Sequence, residues 1–251
     1  MRLAATFRGM NNAITGSWFP PEAGYQACFK AEIDGRVKGE GIVVDLGCGS
    51  CDVRRHWLRF GDRTNTSVRL VACDLNWERL QRNPNECRVG ADACSLPFAS
   101  ESVDVIVAEN MMEHVTDPLP ILIECGRVLK KGGSFVFATP HKYSYIALLS
   151  AMTPLRFHQW VHTFQGNSEG ELGDICETRY RFNSASDVRK YGRAANLAIR
   201  KLEFFVGAPC YTCSLPPPLH FTFMLLHKGL EKIRFVRERA GITLFGVLER
   251  T

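Results

Sequence analysis

Short apolar runs separated by amphipathic stretches occupy the middle of the chain. Four runs rich in β-branched and aromatic side chains are typical of strands in a buried parallel sheet. They cover residues 41–46, 68–73, 103–108 and 134–138. A short helix is predicted at residues 77–81, before Pro84, and a longer one from Asp117 to Gly133. Strands alternating with helices in this way predict an α/β fold built from βαβ units.

The two ends of the chain have less regular patterns. Residues 1–40 are rich in glycine and predict an irregular N-terminal arm. Residues 141–182 are aromatic and polar without a clear period, and they predict an insertion that covers the substrate site. These patterns favour a single domain, residues 41–251, with lid insertions. Its remaining predicted elements are helices from Asp52, from Ser184 to Leu197 and from Pro216 to Arg239, and strands at 199–206 and 242–248.

Composition places the chain among ordinary globular proteins. Of its 251 residues, 45% are hydrophobic and 23% are charged, which excludes disordered, collagen-like and coiled-coil chains. The net charge of +5 comes from interspersed acids and bases, so no nucleic-acid-binding stripe is indicated. No apolar run approaches the roughly 20 residues of a membrane span, and no signal peptide is recognisable. The sequence therefore predicts a cytoplasmic protein with reduced thiols.

The loop after the first strand is the main chemical signal. Glycines at 47 and 49 allow a tight turn and let a ligand approach the main chain closely. Asp52 stands where the dinucleotide fingerprint has its third glycine, and Asp45 ends the strand. Because both carboxylates would repel a pyrophosphate, the loop predicts a ligand without phosphates, carrying positive charge.

Four segments in order resemble the motifs of class I S-adenosylmethionine-dependent methyltransferases, of the small-molecule group with an Asp-Leu-Gly-Cys-Gly motif. They are VVDLGCG at residues 43–49, ACD at 72–74, GADA with LPF and SVDVI within 90–106, and RVLKKGG at 127–133. The segment MEHV at residues 112–115 fits the same group. The resemblance covers the central two-fifths of the chain. It implies a Rossmann-like, seven-stranded, mostly parallel sheet with helices on both faces.

The resemblance also implies a set of cofactor-binding residues. Gly47 and Gly49 would pass under the methionine and ribose moieties, and Asp74 would accept hydrogen bonds from the ribose diol. Taken alone, Asp74 is more typical of a turn residue, as is Asp92. The other implied residues are Asp45 near the amino group, Cys48 and Leu75 next to these in sequence, Asp92 and Ala93 near the adenine, and Asn110 and Met111 beside the sulfonium. One departure is Cys51, where the group often has glycine.

A base is needed if the methyl acceptor is a hydroxyl group. His141 follows the last motif strand, at the end where such sheets bind ligands, and is the candidate base or substrate contact. The alternative is an ordinary loop histidine; Glu113 and His114 are expected to begin a loop. No metal is predicted, because neither His158 with His162 nor the pairs Cys48/Cys51 and Cys210/Cys213 form a set with metal-ligand spacing.

The function implied by the resemblance is methyl transfer from S-adenosylmethionine to a small-molecule acceptor, lipid- or glycan-linked molecules included, with S-adenosylhomocysteine as product. Two alternatives stay open: a non-catalytic subunit that binds cofactor and regulates a complex, and an RNA or protein methyltransferase. Residues 204–239 are apolar with a basic end, which indicates core packing or a contact with a membrane surface or a second copy.

Overall fold

The structure is a computed structural model that divides into two compact units. It describes residues 2–19, 24–37, 40–50, 68–144, 177–207, 212–213, 215–233 and 241–251. The sheet unit comprises residues 25–140, 178–203 and 244–251, and the helical unit comprises residues 1–24, 141–177 and 204–243. This division differs from the predicted boundary at residue 40, because the helix over residues 25–36 packs within the sheet unit.

Seven strands form one sheet. In chain order they are β1 (Gly41–Leu46), β2 (Val68–Asp74), β3 (Arg88–Gly90), β4 (Val103–Glu109), β5 (Leu129–Pro140), β6 (Leu197–Phe205) and β7 (Thr243–Arg250). Their order across the sheet is β3-β2-β1-β4-β5-β7-β6. The helices are α1 (Arg2–Trp18), α2 (Tyr25–Arg36), α3 (Trp77–Gln81), α4 (Pro118–Val128), α5 (Ala185–Ala194) and α6 (Pro217–Lys232), with one 3-10 turn at Met112–His114.

The centre of the sheet is parallel and apolar. β1 pairs in parallel with β2 on one side and β4 on the other, and β4 pairs in parallel with β5. Val43, Val105 and Ile106 are fully buried there, as expected of strands covered on both faces. Because the paired strands run in one direction, the segments that follow β1, β2, β4 and β5 gather at the same edge. This arrangement confirms the predicted α/β fold.

Several element boundaries differ from the predictions. Helix α4 ends at Val128, and β5 begins at Leu129 instead of residue 134. Leu129 is buried and pairs with Val103, and the Lys130 ammonium lies 2.8 Å from the Asp104 carboxylate. The register is irregular after this pair, and regular pairing resumes where Ser134 lies opposite Val105. Strand β3 is not predicted, because three residues at a sheet edge carry little periodic signal. The helix predicted from Asp52 lies outside the described residues.

The N-terminal prediction of an irregular arm is wrong. Residues 2–18 form α1 and residues 25–36 form α2. In the helical unit, α1 packs against α6. None of the helices in the described ranges has the length and apolar character needed to cross a membrane.

Candidate cofactor site

The loop that follows β1 requires glycine at both predicted positions. Gly47 has φ of +71° and Gly49 has φ of +53°, in the region that other residues rarely adopt. The Gly47 N–H donates to the Cys73 carbonyl at 2.7 Å, which ties the loop to the end of β2. A Cβ on Gly47 would overlap the side chain of Met111. The loop is therefore pinned between β2 and the segment after β4, and a side chain at Gly47 has no room.

Asp74 links this loop to the helix that follows β2. One carboxylate oxygen accepts from the Gly49 N–H and the other from the Asn76 N–H, both at 2.7 Å. Asn76 in turn caps α3 by accepting from the Arg79 N–H at 3.1 Å. The carboxylate is half-buried, and each oxygen retains a second lone pair. The structure therefore holds Asp74 rigidly with acceptor capacity left for a ligand.

Asn83 completes the support of Gly49 and was missed by the sequence analysis. Its buried side-chain amide donates to the Gly49 carbonyl at 3.1 Å, and its Oδ1 accepts from the Asn85 N–H at 3.0 Å. Gly49 is thus held from both sides, by Asp74 at its N–H and by Asn83 at its carbonyl. No sequence signal marks Asn83, because the contact joins residues 34 positions apart.

The predicted adenine residues lie after β3. Asp92 is exposed, and its Oδ1 accepts from the Cys94 N–H at 2.8 Å at the start of a turn, while Ala93 is buried. Leu75 is 74% exposed, and Trp77 is 52% exposed with its ring 3.1 Å from the position a Cβ on Gly90 would take. Exposed apolar side chains beside polar acceptors suit an aromatic, hydrogen-bonding ligand.

The segment after β4 supplies the last predicted cofactor residues. Asn110 has φ of +52°, a conformation that asparagine tolerates better than most residues, and its N–H donates to the Ala138 carbonyl at 2.8 Å. This left-handed residue redirects the chain so that Met111 lies against Gly47. The structure therefore brings Gly47 and Met111 together at this edge of the sheet.

The two cysteines at the strand ends are packing residues. Burial raises the pKa of the Cys73 thiol to about 12, and the Asp74 and Asp45 carboxylates act in the same direction. Burial and the same two carboxylates also raise the pKa of Cys48, which packs against Ala72 and Leu80. Both thiols are free and protonated at neutral pH, so neither is suited to act as a nucleophile.

Glu113 is a second residue that the sequence analysis missed. Its side chain is only 4% exposed, and one carboxylate oxygen accepts from the Thr139 hydroxyl at 3.0 Å. Thr139 accepts in turn from the Asn183 amide at 2.6 Å. The Glu113 carbonyl accepts from the N–H groups of Arg179 at 2.6 Å and Tyr180 at 3.1 Å. Glu113 therefore does not begin a free loop but joins the ends of β4 and β5 to residues 179–183.

Burial also sets the protonation of Glu113. The low-polarity surroundings raise the pKa of its carboxyl above 4.5, while the hydrogen bonds and His114 oppose this shift. Its Oε1 lies 4.0 Å from Nε2 of His114. A carboxyl group of raised pKa at the ligand-binding edge of a sheet is a candidate proton carrier.

His141 belongs to the helical unit and is only 3% exposed. Its backbone N–H donates to the Ile242 carbonyl at 2.7 Å, and the ring atom Nδ1 lies 3.2 Å from the Gly241 carbonyl. The ring packs on Phe204 and Tyr143, with centroid distances of 4.8 Å and 5.6 Å. Burial lowers the pKa of His141, so its imidazole is neutral at pH 7. A carbonyl partner places the proton on Nδ1 and leaves the lone pair on Nε2.

Metal ligands do not gather in the described part of the chain. No group of three or more His, Cys, Asp or Glu side chains is close enough there to hold an ion. His158, His162, Cys51 and Cys210 fall outside the described residues.

The sheet order, the glycine loop after β1 and the acidic side chain after β2 define a Rossmann-like cofactor-binding domain. Residues 44–137 match a family model described as a methyltransferase domain. This match agrees with the class I, S-adenosylmethionine-dependent methyltransferase type that the motifs predict.

Similar proteins include a probable S-adenosylmethionine-dependent methyltransferase of Mycolicibacterium smegmatis, 40% identical over 54% of this chain and 50% of the relative. A ubiquinone biosynthesis O-methyltransferase of Nitrosococcus oceani is 30% identical over 45% of this chain and 51% of the relative. The chain thus spans about half the length of these curated relatives. Among solved structures, the geranyl diphosphate C-methyltransferase of Streptomyces coelicolor has the same fold, with a TM-score of 0.54, 14% identity and coverage of 90% of this chain and 80% of that one.

The residues present fit S-adenosylmethionine. Among the described residues, nothing lies within 4 Å of the position a Cβ on Gly49 would take, next to the acceptor oxygens of Asp74, and a ligand could approach the backbone there as far as these residues are concerned. Asp45, buried at the end of β1, adds negative charge that suits a cationic ligand. The apolar side chains of Leu75 and Met111 and the polar Asp92 complete a set with the chemistry of the cofactor.

Proposed function

We propose that the protein transfers the methyl group of S-adenosylmethionine to a small-molecule acceptor, with lipid- or glycan-linked molecules included in this class. The observation that carries the proposal is the Asp74 carboxylate held by the N–H groups of Gly49 and Asn76 at 2.7 Å, beside the glycine loop that follows β1. A vicinal diol donates two hydrogen bonds, and a carboxylate offers two acceptor oxygens.

The residues of this chain would hold and orient the cofactor, and few side chains would take a direct part in the reaction. S-adenosylmethionine, when bound, supplies an electrophilic methyl group on a sulfonium. Gly47 and Gly49 would carry the methionine and ribose moieties, Asp74 the ribose, and Asp92 with Ala93 the adenine. Alignment of an acceptor accounts for a large part of catalysis in such a reaction, and exclusion of water from the site adds to it.

Binding of the cofactor is tested by calorimetry with S-adenosylmethionine and S-adenosylhomocysteine. Asp74→Ala should weaken both affinities by about 30-fold or more, because it removes charge-assisted hydrogen bonds. Asp74→Asn, which keeps the side-chain shape, separates loss of charge from loop distortion. The matched control is Asp117→Ala, since Asp117 also accepts from a backbone N–H, that of Leu119 at 3.1 Å, at the start of α4. No binding to the wild type, or unchanged binding to Asp74→Ala, would contradict the assignment.

His141 is proposed as the base or substrate contact for an oxygen acceptor. Its neutral imidazole has the protonation state a base needs, with the lone pair on Nε2. The relative from Nitrosococcus oceani is named for O-methyl transfer, which supports testing phenols and quinone precursors first, with glycosides as a second panel. With an accepted phenol, His141→Asn should lower kcat about a hundredfold and remove the fall in kcat at low pH. An unchanged pH profile would assign His141 to packing alone.

Two alternative functions can be distinguished from the proposed one by experiment. A non-catalytic subunit would bind cofactor without turnover of any acceptor, so binding together with a silent acceptor screen favours it. An RNA or protein methyltransferase would label macromolecules in a radiolabelled cofactor assay. The small-molecule proposal is preferred, because curated relatives are named for small-molecule acceptors and the charge of the chain is mild. A cytoplasmic location and the contact of residues 204–239 with a membrane or second copy are likewise proposals.

A further inference from the structure

Helices α1 and α6 expose many of their apolar side chains and bury several polar ones. More than half of the exposed large hydrophobic residues in the described ranges lie on these helices or directly after α6. They are Met10, Ile14, Leu219, Phe221, Leu225, Leu226 and Ile233. This is the reverse of the pattern of a helix that faces water.

The interior between the two helices is a polar network. Thr15 Oγ1 donates to the Asn11 carbonyl at 2.7 Å and lies 2.8 Å from Nε2 of His220. Nδ1 of His220 lies 2.7 Å from the Thr212 hydroxyl, and the Asn11 amide donates to the Cys213 carbonyl at 2.8 Å. All of these side chains are at least nine-tenths buried. Hydrogen bonds therefore contribute to holding the pair together beside the buried Met224, while most of its other large apolar side chains are exposed.

The outward apolar side chains form a continuous surface. Met10, Ile14 and Trp18 follow one another at four-residue spacing on α1, and Phe221 and Leu225 do so on α6. The rings of Trp18 and Phe221 meet edge to face with centroids 5.2 Å apart, which joins the two rows. We call these five residues the apolar face. On α6 they lie away from His220, Met224 and His227, the buried positions of that helix.

Basic groups accompany the apolar face. Lys228 and Lys232 lie seven residues beyond Phe221 and Leu225, on the same side of α6. The Lys228 ammonium lies 4.4 Å from the centroid of the Phe19 ring, at the end of α1. Helix α1 has Arg2 and Arg8 but no acidic residue, and α6 has one, Glu231. A surface that combines apolar anchors, aromatic residues and cations matches the headgroup region of an anionic bilayer.

We propose that the apolar face with its flanking lysines binds an anionic phospholipid surface peripherally. A second copy of the chain is the less suitable occupant, because a two-fold dimer places the same patch on both sides, and this patch has lysines at its edge but no acidic residue. An anionic bilayer instead attracts the lysines and buries Ile14, Trp18 and Leu225 in the same step. The proposal does not depend on methyl transfer and can fail or succeed independently of it.

The test is cosedimentation of the full chain with phosphatidylcholine vesicles, with and without about 30 mol % phosphatidylglycerol. The wild type should bind the anionic vesicles at least about tenfold more strongly than the neutral ones, and about 0.5 M salt should reduce this difference. Ile14→Glu with Leu225→Glu should lower binding about tenfold or more, because both side chains are exposed in water and would be buried in lipid. The matched control is Ile123→Glu on α4 of the sheet unit, with 52% exposure against 51% for Leu225, which should bind as the wild type does.

Three results would overturn the proposal. They are equal binding of the wild type to neutral and anionic vesicles, absence of binding to both, and full binding by the double variant. Analytical ultracentrifugation supplies a separate check, since a wild-type dimer that the double variant dissociates, without vesicle binding, would assign the face to a second copy. Cofactor affinity and circular dichroism of the double variant should equal those of the wild type, which shows that a loss of binding is not a loss of folding.

Discussion

The sheet unit and the paired helices α1 and α6 differ in the kind of side chain that they bury. At the centre of the sheet, Val43, Ile106 and Phe135 have no exposed surface, and polar groups lie at the strand ends. Between α1 and α6 the buried side chains include Asn11, Thr15 and His220 together with Met224, whereas Ile14, Phe221 and Leu225 are exposed. Apolar burial therefore stabilises the first region, whereas directional hydrogen bonds specify the second.

The two regions differ in what their apolar side chains contribute to the stability of the fold. In the sheet, apolar side chains build a rigid frame. The candidate cofactor site lies at the edge of this sheet, at Gly47, Asp74 and Asn110. In the helix pair, an exposed side chain such as Leu225 contributes little to folding in water, so its chemistry needs another explanation. An exposed apolar side chain on a polar-cored helix pair indicates a partner that is itself apolar.

The largest expected effect contrasts two truncations. Ile106→Ala should lower the free energy of unfolding by about 3 kcal/mol, because it removes buried methyl groups and leaves a cavity. Leu225→Ala should change it by less than about 0.5 kcal/mol, since 51% of that side chain is already exposed. Urea denaturation followed by circular dichroism measures both. A cost for Leu225→Ala that equals that of Ile106→Ala would show that α6 has an apolar core after all, and the contrast would collapse.

An intermediate effect is expected inside the helix pair. Thr15→Val keeps the side-chain shape but removes the hydroxyl between the Asn11 carbonyl and His220, and should cost about 1–2 kcal/mol. Thr222→Val on the outward side of α6 is the matched control, because its hydroxyl donates to the Pro218 carbonyl at 3.0 Å in an exposed position. The control should stay within about 0.5 kcal/mol of the wild type. If both variants cost the same, the buried network does not hold the helices together.

The same contrast explains how much the sequence could predict. Apolar, β-branched runs identify β1, β2 and β4, and the glycine loop with its ordered motifs predicts which residues bind the cofactor. Helix α1 was missed because its apolar residues Met10 and Ile14 face outward, while Gly9 and Gly16 reduce its helical signal. A pattern that assumes apolar side chains inside cannot find a helix with polar side chains inside.

Within the candidate site, residues with a local sequence signal could be predicted, whereas residues that act through tertiary contacts could not. Gly47 was predicted from the glycine loop and Asn110 from the resemblance alone, and both residues have a positive φ in the structure. Asn83 and Glu113 could not be predicted, since their roles arise from contacts with Gly49 and Thr139, 34 and 26 positions away. The start of β5 at Leu129 was missed for a related reason, because pairing with Val103 overrides the glycines and lysines that favour a helix end there.

The smallest expected effect is a pair of opposite pH dependences. Burial raises the pKa of Glu113 above 4.5, so the folded sheet unit disfavours the charged carboxylate. Its contribution to stability is fully present below pH 4.5 and decreases as the pH rises through the folded-state value. Burial lowers the pKa of His220 below 6.5, so its contribution is present above pH 6.5 and decreases as the pH falls.

Two near-isosteric variants separate these terms. Relative to the wild type, Glu113→Gln should raise the melting temperature at pH 7 and lose that advantage near pH 4.5, because glutamine can still accept from Thr139 but carries no charge. His220→Gln should lower the melting temperature most at pH 8 and progressively less below pH 6.5, since glutamine escapes the cost of a buried cation. Parallel rather than opposite trends would mean that one titration dominates both regions. Opposite trends would show that each region's buried ionisable group is tuned by its own surroundings, a carboxyl in an apolar frame and an imidazole in a neutral hydrogen-bonded network.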